Sequence, residues 1–320
     1  MAGTSGSPVL IVGAGMAGIS AALWCQRVQL PLRWIEASPT VGGQLVRIHG
    51  SIPDYAGLPA PNGRAFLAQL QAHLAAQGLA PEPEVALVEV RDEGTRVGLS
   101  TGEVLEPAAV VLATGARPRR LGVEGEERLR GAGVSDSATR DLQALRGQAV
   151  AVVGGGDAAL ENALILAEVC PRVCLLHRGV AFRGRPAFQA AIAAHPRIEV
   201  RLETRVTAVL GKDAVMALAV AGPAGPEHLA VTAVVVKVGI APALGPFSGL
   251  LAVDEAGYVR VDAQQRTSLP QVWAAGDVCN PLASSLAAAG GQAAIAIKAI
   301  ERALADERRG REKGRQPASG

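Results

Sequence analysis

The sequence predicts an α/β fold with two Rossmann-like, three-layer nucleotide-binding domains. Three observations carry this prediction. A strand, glycine turn and helix pattern occurs twice, at Val9–Gly18 and at Ala149–Ala159. Each unit is followed by a second apolar run, Leu32–Ile35 and Val173–Leu176. The chain of 320 residues is long enough for about two domains at roughly 150 residues each, and its 49% hydrophobic content supplies the cores.

The elements follow in chain order. Val9-Leu-Ile-Val12 is an apolar strand running into Gly13-Ala-Gly15-Met-Ala-Gly18, and an Ala-rich helix continues to about Val28. The first glycine makes the turn, the second lets backbone approach a pyrophosphate, and the third position must be small for the helix to pack on the strand. The helix N-terminus then holds the phosphates. Leu32–Ile35 ends at Glu36, where a carboxylate accepts hydrogen bonds from a ribose diol. Val85–Arg91 and Arg96–Leu99 read as a hairpin, Val110–Ala113 as a strand ending in Thr114-Gly115, and Arg117–Arg120 as a linker.

The second unit repeats the pattern. Ala149–Val153 leads into Gly154-Gly-Gly156-Asp157-Ala158-Ala159 and a helix to about Val169. His177-Arg178 stands at the same offset from Gly154 as Glu36 does from Gly13. An acid repels a 2′-phosphate and a cation pairs with it, so the second site is expected to prefer NADP(H), with Arg183 as a further cation. Strands are expected near 198–201, 206–210, 215–220 and 231–238, then at Val272–Ala275 before an Ala-rich helix. Residues 308–320 are polar, charged and rich in Gly, and read as a flexible tail.

Composition excludes several classes. A formal net charge of +2 gives no electrostatic case for nucleic acid or an anionic membrane. Aromatic residues at 3% are too few for a base-stacking platform. The uncharged stretches 9–26 and 278–297 carry Gly, Ser or Gln and read as buried elements rather than membrane spans. Four cysteines, Cys25, Cys170, Cys174 and Cys279, are too sparse to staple the chain. They fit a reducing, cytoplasmic setting. No metal site is expected.

The ordered motifs resemble the thioredoxin-reductase-like flavoprotein family, including its ferredoxin/flavodoxin–NADP⁺ reductase branch. The matching stretches are Gly13–Gly18, Glu36, Gly42-Gly-Gln-Leu45, Asp54–Gly57, Ala113-Thr-Gly115, Gly154–Ala159, His177-Arg178 with Phe182-Arg183, and Ala274-Ala-Gly-Asp277. The resemblance implies an FAD domain in two segments, 1–117 and 246–306, an inserted NADPH domain at 118–245, a tail at 307–320, and a homodimer. It implies that Gly13, Gly15 and Gly18 sit on the FAD pyrophosphate, that Met16 and Ala17 also bind the cofactor, and that Glu36 holds the adenosine ribose. Gly43 and Gln44 would lie near the isoalloxazine or ribityl chain, with Ala113, Thr114, Gly115, Gly276 and Asp277 around the same cofactor. Ala287 and Ala288 would open a helix facing the flavin. NADPH would take Gly154, Gly156, Asp157, Ala158, Ala159, His177, Arg178 and Arg183.

One departure governs the chemistry. Thioredoxin reductases carry Cys-Ala-Thr-Cys-Asp before the second glycine unit, and the corresponding segment here reads Ser137-Ala-Thr-Arg140-Asp141. Disulfide exchange needs a thiolate, so thioredoxin reduction by that route is excluded. Cys170 and Cys174 are read as structural, with Pro171 between them. The expectation is flavin-based hydride transfer from NADPH with no catalytic side chain, and electrons passing to ferredoxin or flavodoxin across a basic rim of Arg117, Arg119, Arg120, Arg128, Arg130 and the tail arginines. A quinone, flavin, metal or small disulfide as acceptor is the alternative, and a regulatory flavoprotein without catalysis is a third.

Overall fold

The computed structural model describes residues 7–48, 50–52, 54–279, 282 and 284–315. The chain divides into two compact units: residues up to Arg117 together with those from Ala241 onward, and Pro118–Ile240.

The first unit is built on a parallel sheet of five strands. Their order is Val272–Ala274, Ala109–Leu112, Val9–Val12, Leu32–Glu36 and Glu82–Pro83. Val9–Val12 is central and buried on both faces, which is why it reads as an unbroken apolar run. Its alternate residues feed two cores. Val9 and Ile11 pack with Ala21, Cys25, Ala293 and Ile297 of the helices Met16–Arg27 and Leu286–Arg315. Leu10 and Val12 pack with Leu87, Val97 and Leu99 of the antiparallel strands Leu87–Arg91 and Arg96–Leu99. A short third strand, Val104–Leu105, completes that layer. The helix Gly63–Ala76, which the sequence reading passed over, starts where the Asn62 side chain accepts the Ala65 N–H at 2.9 Å.

The second unit repeats the plan. Five parallel strands lie in the order Ile198–Arg201, Arg172–Leu176, Ala149–Val153, Ala233–Val236 and Val134–Ser135. Helix Asp157–Ala167 covers one face through Leu160, Ala163 and Leu166. The antiparallel strands Arg205–Leu210, Ala217–Gly222 and Gly225–Ala230 cover the other. The fold class expected from sequence is therefore the one observed.

Local differences have local causes. The run 231–238 yields only the strand Ala233–Val236, and Gly225–Ala230 is an additional strand folded back on Ala217–Gly222 by a tight turn at Pro223-Ala224. The last helix continues to Arg315, through residues 308–315 of the segment read as a tail. Pairs one turn apart, Lys298 with Glu301 and Arg309 with Asp306, brace its exposed side. Residues 316–320 of that segment lie outside the described residues. Among the described residues no helix is long and apolar enough to cross a membrane.

Candidate functional site

In the first unit a cleft of about 560 Å³ opens at the carboxyl ends of the parallel strands. Open α/β sheets bind their ligands at this edge. The cleft is lined by Gly13–Ala17, Glu36, Ser38, Gly42–Leu45, Ala113–Gly115, Ala275–Asp277, Ser285, Leu286 and Ala289. It brings together Gly13, Gly15, Met16, Ala17, Glu36, Gly43, Gln44, Ala113, Thr114, Gly115, Gly276 and Asp277 from the sequence-derived set.

Each glycine of the turn has a distinct steric reason. A Cβ on Gly13, whose φ is +108°, would stand 2.5 Å from the carbonyl oxygen of Ala113. A Cβ on Gly15 would meet nothing within 4 Å, so its backbone is open to a ligand. A Cβ on Gly18 would fall 1.9 Å from the Gly13 carbonyl oxygen. Gly18 thus serves helix packing and is not among the residues lining the cleft.

Polar groups converge on the same space. Glu36 accepts the Ala14 N–H at 2.6 Å and the Ser38 N–H at 2.8 Å. An ionised carboxylate has about four acceptor positions, so capacity remains for a ribose diol. Gln44 Nε2 donates to Asp277 Oδ2 at 2.5 Å, linking the loop after Gly42 to the loop after Ala275. The Gln292 carboxamide oxygen accepts the Gly276 N–H at 2.9 Å and holds that loop against the last helix. The buried Thr114 Oγ1 has no hydrogen-bond partner among the described residues. An open glycine backbone, a ribose-type carboxylate and an orphaned hydroxyl in one cleft fit a dinucleotide such as FAD.

The last helix begins at Leu286, close to its expected start. Ser285 Oγ accepts the Ala288 N–H at 3.2 Å, so a serine caps it. Ser285, Leu286 and Ala289 line the cleft, whereas Ala287 and Ala288 do not. The sequence reading missed Ser285, although Ser before an Ala-rich run is an N-cap signal.

The second glycine turn has matching geometry. A Cβ on Gly154 would lie 2.2 Å from the Lys237 carbonyl oxygen, and one on Gly156 would meet nothing within 4 Å. Ala159 takes the packing position and is fully buried. The Asp157 carboxylate turns onto Arg185, accepting its N–H at 2.6 Å and pairing with its guanidinium at 3.0 Å. Arg178 and Arg183 are exposed, and neither side chain has a hydrogen bond or ion pair among the described residues.

His177 corrects the expectation of a cationic His-Arg pair. The imidazole is buried against the glycine turn, where a Cβ on Gly155 would fall 2.3 Å from the ring. Its ring centroid is 5.6 Å from that of Phe182. Burial chiefly, helped by Arg183 and Arg178, pushes its pKa below the usual histidine value, despite a hydrogen bond with the Ala181 backbone. A neutral ring shapes the turn, and Arg178 and Arg183 are left as the cations.

The segment Ser137–Asp141 forms an ion-pair cluster. Arg140 pairs with Asp136 at 2.6 Å and with Asp141 at 2.7 Å. Ser135 Oγ donates to Asp141 Oδ2 at 2.5 Å, and Ala138 N–H donates to the buried Asn162 Oδ1 at 2.9 Å. The Arg140 guanidinium holds the Asp141 carboxyl below its ordinary range.

All four cysteines are free and buried. Burial pushes the thiols of Cys25, Cys174 and Cys279 up to about 12 and raises that of Cys170. The arginines of the expected basic rim find partners within the protein. Arg120 and Arg130 both pair with Glu127, at 2.7 and 3.1 Å. Arg128 donates to the carbonyl oxygens of Gly211 and Lys212, and Arg119 to that of Ile240. Arg309 pairs with Asp306. Arg117 lines the cleft of the first unit.

Comparison with known proteins bears on these sites. Residues 7–300 match the family described as Pyridine nucleotide-disulphide oxidoreductase. A thioredoxin reductase of Treponema pallidum is 36% identical over 278 residues, covering 84% of this chain and 88% of its own. One from Streptomyces coelicolor is 32% identical over 311 residues, covering 93% and 95%. The solved thioredoxin reductase of Lactococcus lactis superposes with a TM-score of 0.81 at 25% identity, covering 94% of this chain and 100% of that one.

Proposed function

The chain belongs to the pyridine nucleotide-disulphide oxidoreductase family, and from that premise we propose that it is an NADPH-dependent FAD oxidoreductase that works without a redox-active disulfide and passes electrons to ferredoxin or flavodoxin. The observation that carries the thiol-free reading is the burial of all four cysteines, with three of their pKa values near 12. Such thiols are protonated at neutral pH, and disulfide exchange needs the thiolate. Serine and arginine at positions 137 and 140 support the same reading.

When bound, FAD supplies uptake of a hydride from NADPH and release of electrons to the acceptor. The protein supplies position and charge. Gly15 and the N-terminus of helix Met16–Arg27 hold the FAD pyrophosphate. Glu36 orients the ribose, and Asp277, kept in place by Gln44 and by Gln292 through Gly276, holds the ribityl end. In the second unit Gly156 and helix Asp157–Ala167 receive the NADPH pyrophosphate. Arg178 and Arg183 meet the 2′-phosphate. Their lack of internal partners among the described residues supports this assignment.

A second acceptor class has its own support. Arg120 and Arg130 share Glu127, which offsets one of their two charges for steering an acidic partner. A small molecule such as a quinone or a low-molecular-weight disulfide needs no such steering. Anaerobic addition of NADPH to the yellow protein, followed by ferredoxin, flavodoxin and a quinone in turn, tests the proposal. Bleaching of the flavin band and reoxidation by ferredoxin or flavodoxin is the expected result. Reoxidation by the quinone alone selects the second class, and a flavin that stays yellow refutes the reductase reading.

A further inference from the structure

The residues after His177 return to the second glycine turn and fasten to it by their backbone. Gly155 O accepts the N–H of Arg183 at 2.7 Å and that of Gly184 at 3.2 Å. Asp157 Oδ1 accepts the N–H of Arg185 at 2.6 Å, and Asp157 Oδ2 pairs with its guanidinium at 3.0 Å. Gly184 makes the close approach possible, since a Cβ there would fall 2.4 Å from Leu160 Cδ1. The other side of the segment is held as well. Gln189 Nε2 donates to Gly184 O at 2.6 Å, and the Arg185 guanidinium lies over the Phe188 ring at 4.4 Å.

We propose that Asp157 is a positioning residue for nucleotide selectivity: its carboxylate clasps the Arg183–Arg185 segment to the glycine turn and so holds Arg183 where the 2′-phosphate of NADP(H) arrives. The carboxylate is the polar side chain through which the helix receiving the pyrophosphate joins this fastening. It therefore ties the position of the arginine to the position of the bound nucleotide. An arginine on an unfastened loop has to be ordered at the moment of binding, and that ordering subtracts from affinity. The pairing also neutralises a carboxylate that would otherwise face the incoming phosphates. The inference rests on the reading that the second unit takes NADP(H).

The test is titration of the full chain, purified with its flavin, by NADP⁺ and separately by NAD⁺ in a calorimeter. Neither nucleotide turns over, so the readout is binding alone. Wild type is expected to favour NADP⁺. Asp157→Ala is expected to lose about tenfold more affinity for NADP⁺ than for NAD⁺, the size of one guanidinium–phosphate contact. Asp157→Asn keeps an acceptor for the Arg185 N–H and is expected to retain most of the selectivity. An unchanged NADP⁺/NAD⁺ ratio in Asp157→Ala overturns the inference, whether both affinities hold or both fall, because a merely structural role moves the two together. Equal affinities in wild type would instead overturn the NADP(H) reading itself.

Discussion

Cys170 and Cys174 are four residues apart in sequence but face different cores. Cys170 packs with Leu145, Leu160 and Leu166 on the helical side of the second sheet, and its Sγ donates to the Leu145 carbonyl oxygen at 3.2 Å. Cys174 packs with Val209, Leu218 and Leu229 on the side of the antiparallel strands. Cys174 lies within the strand Arg172–Leu176 and Cys170 just before it, in different clusters on the two sides of the sheet.

This separation makes a direct prediction about reactivity. The native protein is expected to yield almost no reactive thiol to an aromatic disulfide reagent at pH 8, and all four after unfolding in guanidinium. NADPH-driven turnover is expected to survive prolonged alkylation. Loss of activity in step with modification of one cysteine would refute the thiol-free reading.

The glycine turns separate folding from binding. Gly15→Ala and Gly156→Ala add a methyl where nothing lies within 4 Å. They are expected to leave thermal stability near wild type while weakening FAD and NADPH retention respectively. Gly18→Ala drives a Cβ to within 1.9 Å of a carbonyl oxygen and is expected to destabilise the first unit by about 1–3 kcal/mol. Calorimetry and flavin content, measured on the same samples, check both halves.

Arg178→Ala is expected to weaken NADPH by roughly 1–3 kcal/mol through loss of a charge-assisted bond to phosphate, with NADH little affected. Glu36→Ala is expected to lower FAD retention and leave the nucleotide preference alone. Separate titrations with the two reduced nucleotides distinguish these effects.

His177 sets a pH dependence. Its folded pKa lies below the unfolded value near 6.5 because burial disfavours the imidazolium. The unfolded chain therefore binds a proton more readily, and the contribution to stability is full above pH 6.5 and falls as pH drops through the folded pKa. Denaturant melts between pH 7.5 and 5 are expected to show this loss, and His177→Gln to flatten it. An imidazole resonance titrating above 6.5 would contradict the buried, neutral ring.

The central strands were legible because they are buried on both faces. Val9–Val12 and Ala149–Val153 announce themselves as unbroken apolar runs. The turns were legible because a chain that bends sharply from a strand into a closely packed helix requires small residues at fixed spacing. The two-residue strands Glu82–Pro83 and Val134–Ser135 were not, because they exist only through pairing with a neighbouring strand. The internal partners of the rim arginines were not legible for a related reason. Arg128 finds its acceptors at Gly211 and Lys212, distant in sequence, and composition counts charges without showing which are already engaged. The neutral state of His177 was not legible, since its burial depends on Gly155 and Gly179 leaving room for the ring.

Sulfur kept out of reach also changes what the chain can endure. Peroxide damages oxidoreductases by climbing the oxidation ladder from an accessible thiolate, and mercurials and electrophiles bond to that same thiolate. Here the first rung is hidden, with each of the four cysteines in a different hydrophobic cluster. An oxidant therefore meets no exposed thiol from which to start.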